Sequence, residues 1–429
     1  KQPSGEHSSE IASTVPSQPK STISFGFGAS TPAPSQSTAP ISFGFGTSVS
    51  SSPPAAAASS TFTFAAAKPA DAATEDDDHM KKPTPKYVNA PNHFTGPFFE
   101  MEKFWEDEVV NRAPLLNLDC GFLERHRCDL ADRVRKWLGP AEFYLSSPVQ
   151  YVAMDDKDEY YARVIIKDAV RTFFNDTHRE KFHMFLYAMF FEFGNYGQAM
   201  SYLAGICLLV LNEQETAAIL RKVSKAYIPG HWAAEATGFA TSAWVVEHFM
   251  QKHFPDVAEH FKKMKFWPDT YLQKIMSGLC VHVLRFEDLF DFLDQFMEGG
   301  FVYLLKFCLS MIEHFRAHLL KITAAEKINE LFEIMRLDSK AVDRSDVKKI
   351  LQRAPSFPLQ KDMVSSLDVL RSEVYQEKVA PRIQRAPKTE AFEPCAVCDK
   401  KRPTWWNDDL GAVCSDCKAN HSNLEFSAY

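Results

Sequence analysis

The sequence predicts an all-α protein with a low-complexity segment before the helical body and a small cysteine module after it. Three observations predict this. From Glu159 to Leu320 apolar residues recur every three or four positions almost without pause, as in Val164, Ile165, Ala169 and Val170, then Phe182, Phe185, Leu186, Met189 and Phe190. Gly and Pro punctuation such as Ile228-Pro229-Gly230 divides the run into helix-length pieces. No alternating apolar and polar stretch of strand character interrupts it.

Length and composition bound the rest. At 429 residues the chain is long enough for two or three folded units. Hydrophobic residues make up 45% and charged residues 24%, so most of it can bury a core, and 35 Phe against 17 Gly is an aromatic-rich balance. A net charge of −7 argues against a whole-protein electrostatic grip on nucleic acid or an anionic membrane. The longest apolar run, Met200 to Leu211, falls well short of the ~20 residues a membrane-spanning helix needs. Five cysteines, Cys120, Cys128, Cys207, Cys280 and Cys308, are scattered in hydrophobic contexts, a usage that fits a reducing compartment. Lys1 to Glu10 lacks the apolar stretch of a secretory signal, and because residue 1 is Lys the natural start is expected upstream.

Residues 1–79 are mainly Ser, Thr, Pro, Ala and Gln without periodicity, and are expected to be disordered, because they have too little apolar surface to offset the entropy of ordering. The hexapeptide ISFGFG occurs there twice, presenting Phe25, Phe27, Phe43 and Phe45, and an acidic run from Glu75 to Asp78 closes the tract. Residues 80–118 form an aromatic-rich lead-in with Phe98, Phe99, Phe104 and Trp105. The main helical domain is assigned to 119–340. Thr323-Ala324-Ala325-Glu326 has capping-box form ahead of Ile328, Leu331, Phe332 and Met335. Appended helices at 341–379 include an amphipathic stretch through Met363, Leu367, Leu370 and Val374, too short for a sustained coiled coil. Pro381, Pro387 and mixed charge mark 380–392 as a linker into a cysteine module at 393–421.

Two polar constellations interrupt the apolar helices. Ile165-x-x-Asp168-x-x-Arg171 places a carboxylate and a guanidinium on one helical face, one turn apart. Taken alone, such a pair reads as a solvated surface ion pair. Asn195-Tyr196-Gly197-Gln198 then follows a break at Gly194 and opens the most apolar helix, putting the Gln198 amide at a helix start on the rim of the core.

In this order the two resemble the IxxDxxR and YxQ finger motifs of TBC-domain Rab GTPase-activating proteins. The resemblance runs from about Asp119 to Leu320 and includes Arg133-x-x-x-Trp137, Met200 to Gly205, Tyr227-Ile228-Pro229-Gly230, and the Phe286 to Gly299 segment. There are two departures: a short stretch between Arg171 and Tyr196, and Ile275 to Cys280 where an aromatic Trp-Phe-Leu segment is the family's habit. The resemblance implies that Arg171 stabilises the charge developing on a partner's γ-phosphoryl, a role worth ~10³–10⁵ in rate for an arginine supplied in trans. It implies that Gln198 orients the attacking water, with Asp168 orienting the arginine and Tyr196 positioning the glutamine loop. Nucleotide and Mg²⁺ would belong to a Rab-type small GTPase. A catalytically silent TBC fold kept as a docking platform is the other reading.

The FGFG copies resemble the FG repeats of nucleoporins, in which an exposed aromatic on a flexible chain makes brief contacts with apolar pockets; accidental low complexity is the alternative. Together with the helical domain they resemble a TBC-domain FG nucleoporin, implying a station at the nuclear pore or envelope, or otherwise in the cytoplasm, with nuclear transport receptors and other nucleoporins as partners. Cys395-x-x-Cys398 and Cys414-x-x-Cys417 have the spacing of a tetrahedral structural zinc site rather than of a redox dithiol. The module resembles a GATA-like or treble-clef finger, with Trp405 or Trp406 covering the metal knuckles. Its basic residues leave nucleic-acid contact open, but protein binding or anchoring is the expectation. His421 and the other histidines show no pairing typical of a metal or catalytic site, and no Gly-rich phosphate loop is present.

Overall fold

A computed structural model describes residues 86–89, 97–116, 119–154, 160–233, 235–324, 327–360, 364–385, 395–398, 405–407, 410–421, 424 and 427–428. The FG phenylalanines Phe25, Phe27, Phe43 and Phe45 and the rest of the 1–79 tract lie outside these. The chain divides into a helical unit ending at Lys388 and a second unit containing Thr389–Tyr429.

In the helical unit β1 (Tyr87–Val88) pairs antiparallel with β2 (Tyr151–Val152). The lead-in is folded: single turns at Phe98–Glu100 and Pro114–Leu116 flank a wider turn at Trp105–Val110. Its rings enter the main core, Phe98 lying 4.9 Å from Phe173 and Phe104 4.9 Å from the His178 ring. Short helices α1 (Cys120–His126), α2 (Leu130–Arg135) and α3 (Leu138–Ala141) follow. Arg133 and Trp137 both reach Asp294, with Arg133 Nε at 2.8 Å and Trp137 Nε1 at 2.7 Å, and so tie these helices to a late segment of the chain.

The central layer is α4 (Tyr160–Val170), α5 (Asp176–Phe193), α6 (Gln198–Leu208) and α7 (Glu213–Lys222). Asn175 caps α5 by accepting from the Thr177 N–H at 2.8 Å, and the helix ends at Gly194 in the left-handed conformation. Asn212 and Glu215 form a capping box at the start of α7. Arg221 of α7 is fully buried because a bidentate pair with Glu192 and the carbonyls of Tyr144, Ser147 and Pro148 satisfy its guanidinium.

Next come α8 (Thr237–His253), α9 (Pro255–Lys263), α10 (Pro268–Tyr271) and α11 (Gln273–Met276). The longest element, α12 (Phe286–Leu319), is two helices joined at Gly300, whose φ of 56° and ψ of −141° only glycine adopts without strain. The Tyr227 ring occupies the space a side chain there would need, and its hydroxyl donates to the Met297 carbonyl at 2.7 Å. The Tyr-x-Pro-Gly turn and the late helix break are therefore one packed feature.

The unit closes with α13 (Ile328–Met335), α14 (Arg344–Arg353), α15 (Leu367–Val374) and α16 (Ala380–Arg385). The capping box expected at Thr323 falls partly on residues 325 and 326, outside the described residues; α13 starts at Ile328 after Lys327, which makes no side-chain cap bond. Residues 380–385, read from sequence as the start of a linker, are helical. A wider, π-helical turn at Tyr375–Val379 joins α15 to α16 without a break, and Pro381 lies just past it. Arg382 anchors α16 by pairing with Asp269 at 2.7 Å and lying over the Trp244 ring.

In the second unit a hairpin of β3 (Trp405–Asn407) and β4 (Gly411–Val413) precedes α17 (Ser415–Asn420), and β5 (Ser427–Ala428) pairs with the other edge of β3. Among the described residues no helix is long and apolar enough to cross a membrane.

Candidate functional site

The site grows from the end of α4. Ile165, Asp168 and Ala169 point inward, so Asp168 is only 2% exposed, while Arg171, one turn on, leaves 64% of its side chain in solvent. Arg171 Nη1 lies 3.6 Å from Asp168 Oδ1. The sequence places the two on one face, and the structure adds an asymmetry: an anchored carboxylate beneath a free guanidinium. A buried charge persists only where partners hold it. The Tyr196 hydroxyl, itself buried, donates to Asp168 Oδ2 at 2.8 Å.

Burial pushes the Asp168 carboxyl up from 3.8 to about 6, and hydrogen bonding from Tyr196, the Arg171 charge and hydrogen bonding from Gln198 pull against that rise. Burial, then Asp168 itself, pushes the Tyr196 phenol well above its usual range, so it remains a hydrogen-bond donor. Arg171 and Tyr196 therefore meet at one carboxylate.

Gln198 is the first residue of α6 and half-buried, at the rim where the sequence puts it. Gly197 before it has a physical reason to be glycine: a Cβ there would lie 2.8 Å from the Trp232 carbonyl oxygen. Trp232 is fixed in turn, its Nε1 donating to the Ser277 carbonyl at 3.1 Å. Beside it His231 is buried and neutral, burial driving its pKa down to about 3. Because the Met276 carbonyl only accepts, His231 Nδ1 carries the proton at 3.2 Å and Nε2 accepts from Ser242 at 2.9 Å. Ile275, Met276, Leu279 and Cys280, where the aromatic segment is replaced, are all buried beneath this arrangement.

The brace for the arginine loop is the part that sequence reasoning missed. Glu108, from the lead-in, is completely buried. Its carboxylate accepts from the N–H groups of Phe174 and Asn175, each at 2.7 Å, and faces His178 Nδ1 at 2.9 Å. Asp107 takes the Asn175 amide at 2.9 Å, and the Leu115 N–H donates to the Thr172 carbonyl at 3.3 Å. The bonds to Thr172, Phe174 and Asn175 fall within four residues of Arg171, so the lead-in fixes the exit of the loop that presents it. In sequence, Glu106-Asp107-Glu108 looks like a solvated acidic run, and no periodicity singles out the middle of an irregular turn as buried.

In the second unit Cys395, Cys398, Cys414 and Cys417 come together with all four sulfur atoms within 4.8 Å of one another. Four thiolates at about 2.3 Å from a tetrahedral zinc ion lie about 3.8 Å apart, and Cys398 and Cys414 are 3.8 Å apart here. Burial pushes the Cys395 thiol up, but the backbone N–H groups of Cys414, Cys398 and Val397 outweigh it and bring the thiol down to about 6. The donor set thus fits a zinc ion. His421 is not part of the cluster, and Lys418 lies over the Trp405 ring. The Trp406 side chain and the basic residues 400–402 lie outside what is described.

Residues 145–320 match the family model described as the Rab-GTPase-TBC domain. Two solved structures are similar. One is the Chlamydomonas flagellar RabGAP TBC domain, at 16% identity over 59% of this chain and 80% of that one, with a TM-score of 0.38. The other is the Ypt/Rab-GAP domain of Gyp1p, at 12% identity over 60% of this chain and 89% of that one, with a TM-score of 0.38. No curated protein matches the chain. Asp168, Arg171, Tyr196 and Gln198 all lie within the matched span; Glu108, Arg133 and Trp137 lie before it.

Proposed function

We propose that this chain is a GTPase-activating protein that stimulates GTP hydrolysis by a Rab-type small GTPase, with Arg171 and Gln198 completing the partner's hydrolytic centre. The observation that carries the reading is the convergence of Arg171 and Tyr196 on the buried carboxylate of Asp168, with the guanidinium reaching solvent and Gln198 opening the helix two residues after Tyr196.

Phosphoryl transfer spreads negative charge over the γ-phosphoryl oxygens, and a cation held in place beforehand stabilises that charge without reorganising during the reaction. Asp168 limits the orientations open to Arg171, and Tyr196 holds Asp168. An amide that both donates and accepts suits the orientation of an attacking water, and the start of α6 gives Gln198 a rigid mount. The partner supplies nucleotide and Mg²⁺.

The cysteine quartet would hold a structural zinc ion, whose bound state supplies the folding energy of a unit with little core of its own. The two ISFGFG copies support a station at the nuclear pore, among transport receptors and other nucleoporins. The test is single-turnover GTP hydrolysis across a Rab panel and a Ran-type GTPase. Acceleration of at least one member by the wild-type chain, lost in Arg171→Ala, is expected; no acceleration anywhere leaves only the docking platform.

A further inference from the structure

We infer that the outward face of α4 is a recognition surface for a GTPase that carries acidic side chains beside its nucleotide, with Arg163 and Lys167 reading those carboxylates while Arg171 enters the site. This rests on the activity proposed above and adds a specificity determinant to it.

Arg163, Lys167 and Arg171 stand at i, i+4 and i+8, and all three are exposed, so they form one stripe along the helix. The stripe is about 12 Å long at 1.5 Å per residue, well within the footprint of one protein partner. In a chain of net charge −7 a helix face with three cations is a local inversion. The single acid of α4, Asp168, is turned inward and already engaged. Among the described residues Arg163 and Lys167 make no ion pair. Asp155, Asp156, Asp158 and Glu159 lie outside the described residues.

Apolar groups flank the stripe. Val170 is 48% exposed and Phe174 45%, on either side of Arg171. From Val170 a groove of about 390 Å³ runs back over Ile166, Met154, Val152 and Val88, and Asp176, Arg179, Glu180 and His183 of α5 also line it. A solvated helix face has no use for large exposed apolar groups beside its cations, whereas an interface combines buried apolar anchors with a charged rim. The occupant follows from continuity: whatever protein receives Arg171 must lie along α4, so the stripe and the groove belong to the GTPase.

Rim charges act through encounter and salt dependence more than through chemistry. The experiment uses the full chain and GTP-loaded Rab GTPases, measuring kcat and KM for wild type, the double variant Arg163→Glu/Lys167→Glu, and the exchange Arg163→Lys/Lys167→Arg. Salt is set at about 0.1 M and about 1 M, between which the Debye length falls from about 10 Å to about 3 Å. On a responsive GTPase the double reversal raises KM about tenfold at low salt, and the effect shrinks to about twofold at high salt. Its kcat stays within about twofold and the exchange behaves as wild type. An unchanged KM for the double reversal, or an equal loss at both salt concentrations, overturns the inference. A wild-type chain that accelerates no GTPase in the panel overturns the activity itself, and the two failures are distinct.

Discussion

Replacing Asp168 with Asn should separate stability from function. The carboxyl is 2% exposed and its pKa in the fold is about 6 against an ordinary 3.8. The raised value fixes the sign: the fold favours the protonated form, so this group's contribution to stability is greatest below pH 3.8 and is lost as pH rises through about 6. At about 1.4 kcal/mol for each tenfold change, ionised Asp168 weakens the fold by at most about 3 kcal/mol at pH 7.5 relative to pH 4. Asn keeps an acceptor for the Tyr196 hydroxyl and carries no charge. The difference in unfolding free energy, variant minus wild type, should therefore grow by about 2–3 kcal/mol between pH 4 and pH 7.5, read from urea melts at each pH. The same substitution removes the charge 3.6 Å from Arg171 and should lower stimulated hydrolysis at pH 7.5 by about tenfold to a hundredfold, a part of what an arginine finger supplies. Wild-type stimulation should itself fade below pH 6 as Asp168 takes up its proton. A variant destabilised equally at both pH values, with stimulation intact, would refute the role given to this carboxylate.

Gly197→Ala forces a Cβ against the Trp232 carbonyl; it should cost about 1–3 kcal/mol in a melt and reduce kcat, with KM changing less because Gln198 rather than the docking surface is displaced. Glu108→Gln sets an amide donor against one of the Phe174 and Asn175 N–H groups and should destabilise by about 1–3 kcal/mol; a full stimulated rate in that variant at low temperature, where it is folded, would show that the lead-in does not position Arg171. Metal analysis of the purified chain should find one zinc per molecule, and Cys398→Ser should abolish it while leaving the unfolding of the helical unit unchanged; retention of metal by the variant would contradict the four-cysteine site.

The helical body was legible because its signal is periodic: apolar residues at helical spacing from α4 to α12 need no knowledge of their neighbours. Asp168, Arg171 and Gln198 were singled out by their resemblance to the IxxDxxR and YxQ motifs, since by patterning alone the first two read as a solvated ion pair. What sequence could not show depends on contacts between distant segments. Glu108 is 66 residues from Phe174, and nothing local marks it as buried. Arg382 meets Asp269 across 113 residues, so Pro381 read as a breaker when it lies within helical backbone continued from α15 and anchored elsewhere. The need for glycine at 197 likewise appears only when the Trp232 backbone is in place.

The most direct measurement is single-turnover hydrolysis by a responsive Rab GTPase whose own catalytic glutamine has been replaced with alanine. With Gln198 supplied in trans, the wild-type chain should still accelerate that crippled GTPase by about a thousandfold or more, and Gln198→Ala and Arg171→Ala should each abolish the effect. Loss of all acceleration when the GTPase lacks its glutamine, or full acceleration by Gln198→Ala, would contradict a chain that contributes both groups to the reaction.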